Sequence, residues 1–401
     1  MGKNVLKDKS IDRYTIGNLI IIAGIIVITT LEWHFFDWYQ TFTKYGTLIT
    51  FATLSLAFIC YVDVKDALKD KRFWIMVITD IIALANLFII GSNKGCLLIV
   101  VDFMLILYLS DKVKFSRPQS IFILGYTAFF FFYWTIDVKG YFKGYNTNYG
   151  GLILITGFAF LMVLMQLFNE KLKRYFWYPI LYVAFIVVAF KIISWYRSRT
   201  ALMGLLALLV LLIIPRKFIA NKIVYTLLCI GSTAGAIAFA GLYIFLGNLG
   251  DGEGIQLFYK SVISGRNEIW GELLTEAMKS PITGIGSSYE MKLEYMKGYF
   301  EAHSAMMDIF VVHGAIIFVL LCATFIYSLL KLRNQTAESG LGKVIIAAIM
   351  CMLFTGFFEN YYIVQPFSML LLCLFAIKPE IVLNEKQDNA SVQNAQKEIS
   401  H

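Results

Sequence analysis

Apolar runs of the roughly 17–25 residues that a helix needs to cross a bilayer recur along almost the whole chain, and nothing constrains its fold more. Composition agrees: 59% of residues are hydrophobic and only 15% charged, with a mean hydropathy of +0.69. A soluble globular chain carries about 25% charged residues. The pattern predicts an all-α, polytopic membrane helix bundle. Helices are expected near residues 15–32, 45–62, 73–90, 96–110, 119–136, 149–168, 176–193, 200–214, 223–247, 304–330, 344–358 and 362–377. That makes about twelve spans, with both termini on one side.

Basic residues set the orientation. Segments 1–13, 63–72, 111–118, 169–175, 215–222, 331–343 and 378–401 hold 23 of the 35 Lys and Arg. Cytoplasmic loops carry the Lys/Arg excess, so these segments are expected in the cytoplasm, and residues 248–304 form a large extracytoplasmic loop carrying short helices. Residues 1–377 read as one integral-membrane domain. Residues 378–401 end in a polar stretch without aromatics and read as a disordered cytoplasmic tail. Met1–Arg13 is basic, and the apolar run behind it reaches Trp33 without a cleavage site, which predicts a retained first helix.

All six cysteines lie in or beside apolar runs, away from the polar stretch and from metal-ligand spacing. That excludes a disulfide framework and a zinc site as readings. No cofactor, metal or nucleic-acid partner is expected. The formal charge of +8 matters through its distribution more than its total.

The polar stretch carries the chemistry. Ser264-Gly265-Arg266 opens a short amphipathic helix with Ile269, Trp270, Leu273, Leu274, Ala277 and Met278 on one face. Lys279-Ser280-Pro281 stops it and Gly284-Ile-Gly286 turns the chain. Arg266 and Trp270 sit one turn apart and project together. A cation in a helix's first turn opposes the macrodipole, which points to an anionic partner; the plainer reading is a surface helix with Arg266 snorkelling to headgroups. His303 lies where the loop enters the next apolar run, as a candidate acid–base group or a merely solvated one. Arg197 and Arg199, at the mouth of the eighth run, suit bidentate binding of phosphate or diphosphate, with interfacial anchoring as the alternative. Lys191 is either a third cation for that anion or a snorkelling lysine. Glu359-Asn360, at the mouth of the last helices, are candidates for pointing inward. Asp80, Asp102 and Asp308 sit inside apolar runs, where a carboxylate is costly and usually paired or facing a cavity.

In order and spacing, Asn146-Thr-Asn148-Tyr149-Gly150, Ser198-Arg199-Thr-Ala201, Ser264-Gly-Arg266 with Trp270, Pro281 with Gly284 and Gly286, and His303-Ser304 together resemble the O-antigen polymerase and O-antigen ligase superfamily over about residues 140–320. Members more often carry Asn where this chain has Ser304. The resemblance implies a metal-independent membrane glycosyltransferase of the C-type fold in a bacterial cytoplasmic membrane, with its active site outside. Its implied donor is an undecaprenyl-diphosphate-linked oligosaccharide and its acceptor a glycan hydroxyl. A chain-length regulator and a flippase are the implied partners beside membrane lipids. Arg199, Arg266 and His303 would be the catalytic set, with Arg197, Asn146, Asn148, Tyr149, Trp270, Lys191 and Glu359 binding substrate. Repeat-unit polymerisation is the leading reading. The alternatives are ligase-type transfer of finished glycan to lipid, protein or wall, a lipid-linked oligosaccharide flippase, and a metal-dependent polyprenyl-phosphate sugar transferase built on Glu32, His34 and Asp37.

Overall fold

The computed structural model describes residues 12–34, 39–137, 147–172, 177–249, 256–257, 260–261, 265–296 and 302–384. Apart from a two-residue antiparallel pair, Gln256–Leu257 with Lys260–Ser261, the described residues carry only helices and connectors. Each of the twelve apolar runs contains helix, the last of them only from Phe367 onward. The helices of ten residues or more are α1 (Arg13–His34), α2 (Tyr39–Tyr61), α3 (Lys71–Ile90), α4 (Lys94–Leu109), α5 (Arg117–Asp137), α6 (Thr147–Leu172), α7 (Trp177–Phe190) and α8 (Arg199–Ile213). They continue with α9 (Lys222–Ser232), α10 (Gly235–Leu249), α11 (Arg266–Ala277) in the polar stretch, α12 (Ala305–Lys331), α13 (Gly340–Thr355) and α14 (Phe367–Ala376).

Five of these, over Arg13–Glu32, Lys71–Ile90, Asn148–Glu170, Pro179–Tyr196 and Ala305–Glu338, are long and apolar enough to cross a membrane, six if α9 and α10 count as one span. Others are shorter: α14, at 10 residues, rises only about 15 Å. The short helices fill the interior instead. Every residue of α14 is buried, as is almost all of α13 and the run Asp102–Leu109 of α4. Around them α5 packs along α6, α1 along α2, and α13 against α6 and α8. The outer helices leave large apolar side chains uncovered, among them Ile59, Phe88, Ile89, Tyr182, Val183 and Ile213. So much exposed apolar surface fits a hydrocarbon surround.

The connectors are short because polar residues cap the helices they join. Asp70, Asn93, Ser198, Asn221 and Ser339 each accept a hydrogen bond from a backbone N–H of the first turn that follows. Basic segments meet at one end of the bundle. Arg72 of α3 and Lys331 of α12 both pair with Asp111, Arg216 donates to the Glu338 carbonyl, and Lys378 to that of Ser110.

Three helices depart from the expected continuous runs. The ninth run bends by 63° between Ser232 and Gly235, where Ser232 and Thr233 hydroxyls both donate back to the Cys229 carbonyl and compete with the helical ladder. Helix α7 ends in a π-helical turn, Lys191–Tyr196, closed by Arg197 in the left-handed region at φ 48°. Helix α12 opens at Gly314, with φ 80° and ψ 178°.

Candidate active site

The Gly314 opening is what docks the polar stretch onto the bundle. The turn after α11 lies against the broken ladder: Ile285 N–H donates to the Val311 carbonyl (2.9 Å), Gly286 N–H to Val312 (3.2 Å), and Ala315 N–H to Pro281 (2.7 Å). Asn86 of α3 completes the seam, its Nδ2 donating to the carbonyls of Thr283 (3.2 Å) and His313 (3.1 Å). Backbone approaches this closely only without a Cβ on either side. At Gly284 (φ 77°) a Cβ would sit 2.5 Å from the Val312 carbonyl oxygen, and at Gly314 it would collide with Ile282. The Pro/Gly turn was legible in sequence; its receptor, a glycine within an apolar helix, carried a signal that went unread.

Helix α11 packs on α10 and α12. Trp270 is fully buried between Phe239 and Tyr243, with ring centroids at 6.2 and 5.0 Å. Its indole Nε1–H donates to the Ala302 carbonyl at 2.7 Å, which anchors the residue immediately before His303. Trp270 therefore stands behind the site and not in contact with its open side.

His303 has φ 49°, sparsely allowed for a non-glycine residue. The backbone on its C-terminal side is fixed: Ser304 N–H donates to Asn360 Oδ1 (2.9 Å) and Ala305 N–H to the Gly356 carbonyl (2.8 Å). These are two of the amides that a helix start leaves unsatisfied, and both find partners in the connector between α13 and α14. Such over-determination is what lets a strained conformation persist.

The first part of that connector, residues 356–360, is the hub, and Glu359 is its centre. Arg266 Nη2 donates to Glu359 Oε1 and to the Phe358 carbonyl, both at 2.8 Å. Asn148 Nδ2 donates to the same Oε1 at 2.7 Å. His303 Nδ1 lies 3.3 Å from Oε2. The Arg266 and Glu359 side chains are only 10% and 7% exposed, whereas His303 is 20% exposed. Burial alone pushes the Glu359 carboxyl up, but the His303 hydrogen bond, the Arg266 charge and Asn148 outweigh it and hold the group below its ordinary value. An ionised carboxylate only accepts hydrogen bonds, so His303 presents Nδ1–H to Glu359. In the neutral ring the lone pair is then on Nε2.

The anionic partner demanded by Arg266 in the first turn of α11 is thus supplied by the chain itself. Glu359, singled out as a substrate-binding candidate, has both oxygens engaged and acts as a buried bracket. The network runs on through Asn148, whose Oδ1 accepts from Ser198 Oγ at 3.2 Å. Ser198 caps α8, and Arg199, half-buried, is the next residue; Arg197, just before the cap, is exposed. Two further candidates lie to the side. Tyr149 packs on Trp134 and Phe367 and donates to Glu32. Lys191 Nζ donates to the Thr135 carbonyl at 3.1 Å, an acceptor it shares with Tyr196. Asn146, like Asp37, lies outside the described residues.

Ser198, Gly356 and Phe358 were not assigned roles from sequence, whereas Asn360 was paired with Glu359 there. Ser198 carried a readable signal, a helix cap before an apolar run. The others act through backbone or at long range. Among the described residues no group of three or more His, Cys, Asp or Glu forms a metal site. No protein-family model, curated protein or solved structure matches this chain.

Proposed function

We propose that this chain is a multi-pass membrane glycosyltransferase that polymerises undecaprenyl-diphosphate-linked oligosaccharide repeat units outside a bacterial cytoplasmic membrane. In this reading the bundle crosses the membrane about twelve times, with both termini cytoplasmic and residues 248–304 outside. One observation carries it: Arg266, His303 and Asn148, drawn from three separate motifs, meet on one buried carboxylate, and Asn148 also accepts from Ser198, the α8 cap that precedes Arg199 in the chain. A plain membrane scaffold has no need to hold a strained histidine against a buried ion pair.

The chemistry follows from the groups. The acceptor hydroxyl attacks the anomeric carbon of the donor, and its proton passes to Nε2 of His303, a neutral imidazole oriented by Glu359. The new glycosidic C–O bond forms as the bond to the diphosphate breaks, and the lipid diphosphate leaves as an anion. Negative charge grows on the phosphate oxygens, where fixed guanidinium groups stabilise it. Arg199, at a helix start and half-buried, is the main candidate for that contact. Arg266, bonded to Glu359 and Phe358, holds in place the carboxylate that orients His303.

The test is to delete the gene in its host, restore it with Arg199→Ala or His303→Ala, and size surface glycan on a gel. A ladder of repeat lengths with the wild type and a single repeat with either variant is the expected result. Transfer of one finished block would replace the polymerase by a ligase, and an unchanged ladder in both variants would remove the enzyme reading.

A further inference from the structure

At the opposite end of the bundle from Glu359, a cavity of about 490 Å³ opens between the starts and ends of several helices, lined by Tyr14, Tyr61, Asp111, Lys112 and Lys114. Its floor is tied together. Tyr61 Oη donates to Asn18 and to the Tyr14 carbonyl, and Asn18 Nδ2 donates to the Lys114 carbonyl at 3.0 Å. The single carboxylate of the lining is already neutralised, since Asp111 Oδ2 pairs with Arg72 and, at 2.5 Å, with Lys331. Lys112 sits over the Tyr108 ring at 4.8 Å, with Nζ 4.0 Å from Asp70, a carboxylate that Arg72 also binds. Among the described residues, the exposed Lys114 ammonium has no hydrogen-bond or ion-pair partner.

Cations crowd this end. Lys378 is held below its ordinary value by burial, with Lys114 and Lys331 pushing the same way against Asp111 and Glu380. Further along the two helices that frame the cavity, Leu19 of α1 and Leu56 and Ile59 of α2 are exposed. A cationic cavity with phenol hydroxyls, opening beside uncovered apolar helix faces, has the parts a phospholipid needs for headgroup and chains. Basic pockets between membrane helices are a recognised setting for anionic headgroups.

We infer that this cavity binds the headgroup of an anionic phospholipid, with Lys112 and Lys114 on the phosphate and the acyl chains along α1 and α2. The inference rests on the membrane reading of the chain and is independent of the glycosyltransferase reading.

Resistance of the full chain to alkaline extraction from membranes comes first. A chain released at that step would overturn the membrane reading, and this inference with it. The purified, delipidated chain in neutral detergent is then titrated with phosphatidylglycerol, phosphatidylcholine or inorganic phosphate, and bound lipid is counted by native mass spectrometry. Phosphatidylglycerol should bind preferentially. Lys112→Gln/Lys114→Gln should weaken that binding roughly 10–30-fold, the scale of two lysines at a charged surface. Lys217→Gln/Lys222→Gln, which removes two exposed cations elsewhere, should leave it unchanged. Lys114→Glu alone should abolish the preference, and covers the case in which the double variant fails to fold. Equal binding of both lipids, displacement by free phosphate at matched concentration, or equal loss in both double variants would overturn the headgroup site while leaving the membrane reading in place.

Discussion

Arg266 and Glu359, 93 positions apart, meet at 2.8 Å with nine-tenths of each side chain covered. The pair joins the polar stretch to the connector before the last helix, and its worth is measurable. Removing one partner of a buried ion pair strands the other charge and costs roughly 3–5 kcal/mol. Arg266→Met and Glu359→Leu should each lower thermal stability in detergent on that scale. The double variant should lose less than the sum, with a coupling of about 1–3 kcal/mol. Additive losses would mean that the two side chains do not support one another.

The same carboxylate gives a pH signature. Its folded value is held below the ordinary 4.5, so the charged form is bound more tightly by the folded state. The stabilisation is complete above the unfolded value and is lost as pH falls through the depressed folded value. The stability gap between wild type and Glu359→Gln should therefore be constant near neutrality and narrow below about pH 4.5. Unfolding curves at a series of pH values check this; a gap that widens on acidification would reverse the sign assigned to Glu359.

His303 separates strain from chemistry. With φ at 49°, replacement by glycine relieves a backbone cost of about 1 kcal/mol or more. It also deletes the Glu359 hydrogen bond and the imidazole. His303→Gly is expected to keep the melting temperature within a few degrees of wild type and to yield no polymer. His303→Ala should yield none either and be the less stable of the two. A stable, fully active glycine variant would show that the imidazole has no part in the reaction.

Gly314→Ala tests whether the polar stretch is held by backbone contact. The added Cβ would collide with Ile282 at a φ of 80°, and strain of this kind costs about 1–3 kcal/mol before any clash. The expected outcome is release of the 281–286 turn, seen as faster limited proteolysis there and as loss of polymer, with the rest of the bundle still folded. An alanine variant with wild-type protease resistance would show that the seam tolerates separation.

The helices were readable because a residue's hydropathy and its neighbours' within a few turns already decide whether a segment will bury its backbone polar groups as helix. All twelve runs, the Pro281–Gly286 turn and the short helix at Arg266 come from such local information. Clustering of the basic segments at one end was legible for the same reason, since charge placement relative to apolar runs is also local. The breaks were harder to see. Thr233 and Gly314 sit inside apolar runs, and what opens the helix at Gly314 is a turn about 30 residues away in sequence.

The site divides in the same way. By itself the sequence determined which unusual residues stood at helix mouths: Arg199, Arg266, His303, Asn148 and Glu359. Only the tertiary structure decided that Glu359 is the common partner of three of them, that Trp270 is a hidden prop, and that Lys191 is turned to the Thr135 carbonyl. Partners 56, 93 and 211 positions apart leave no periodicity in the chain between them. Their meeting is fixed by how helices pack and where connectors cross, which no single stretch of residues specifies.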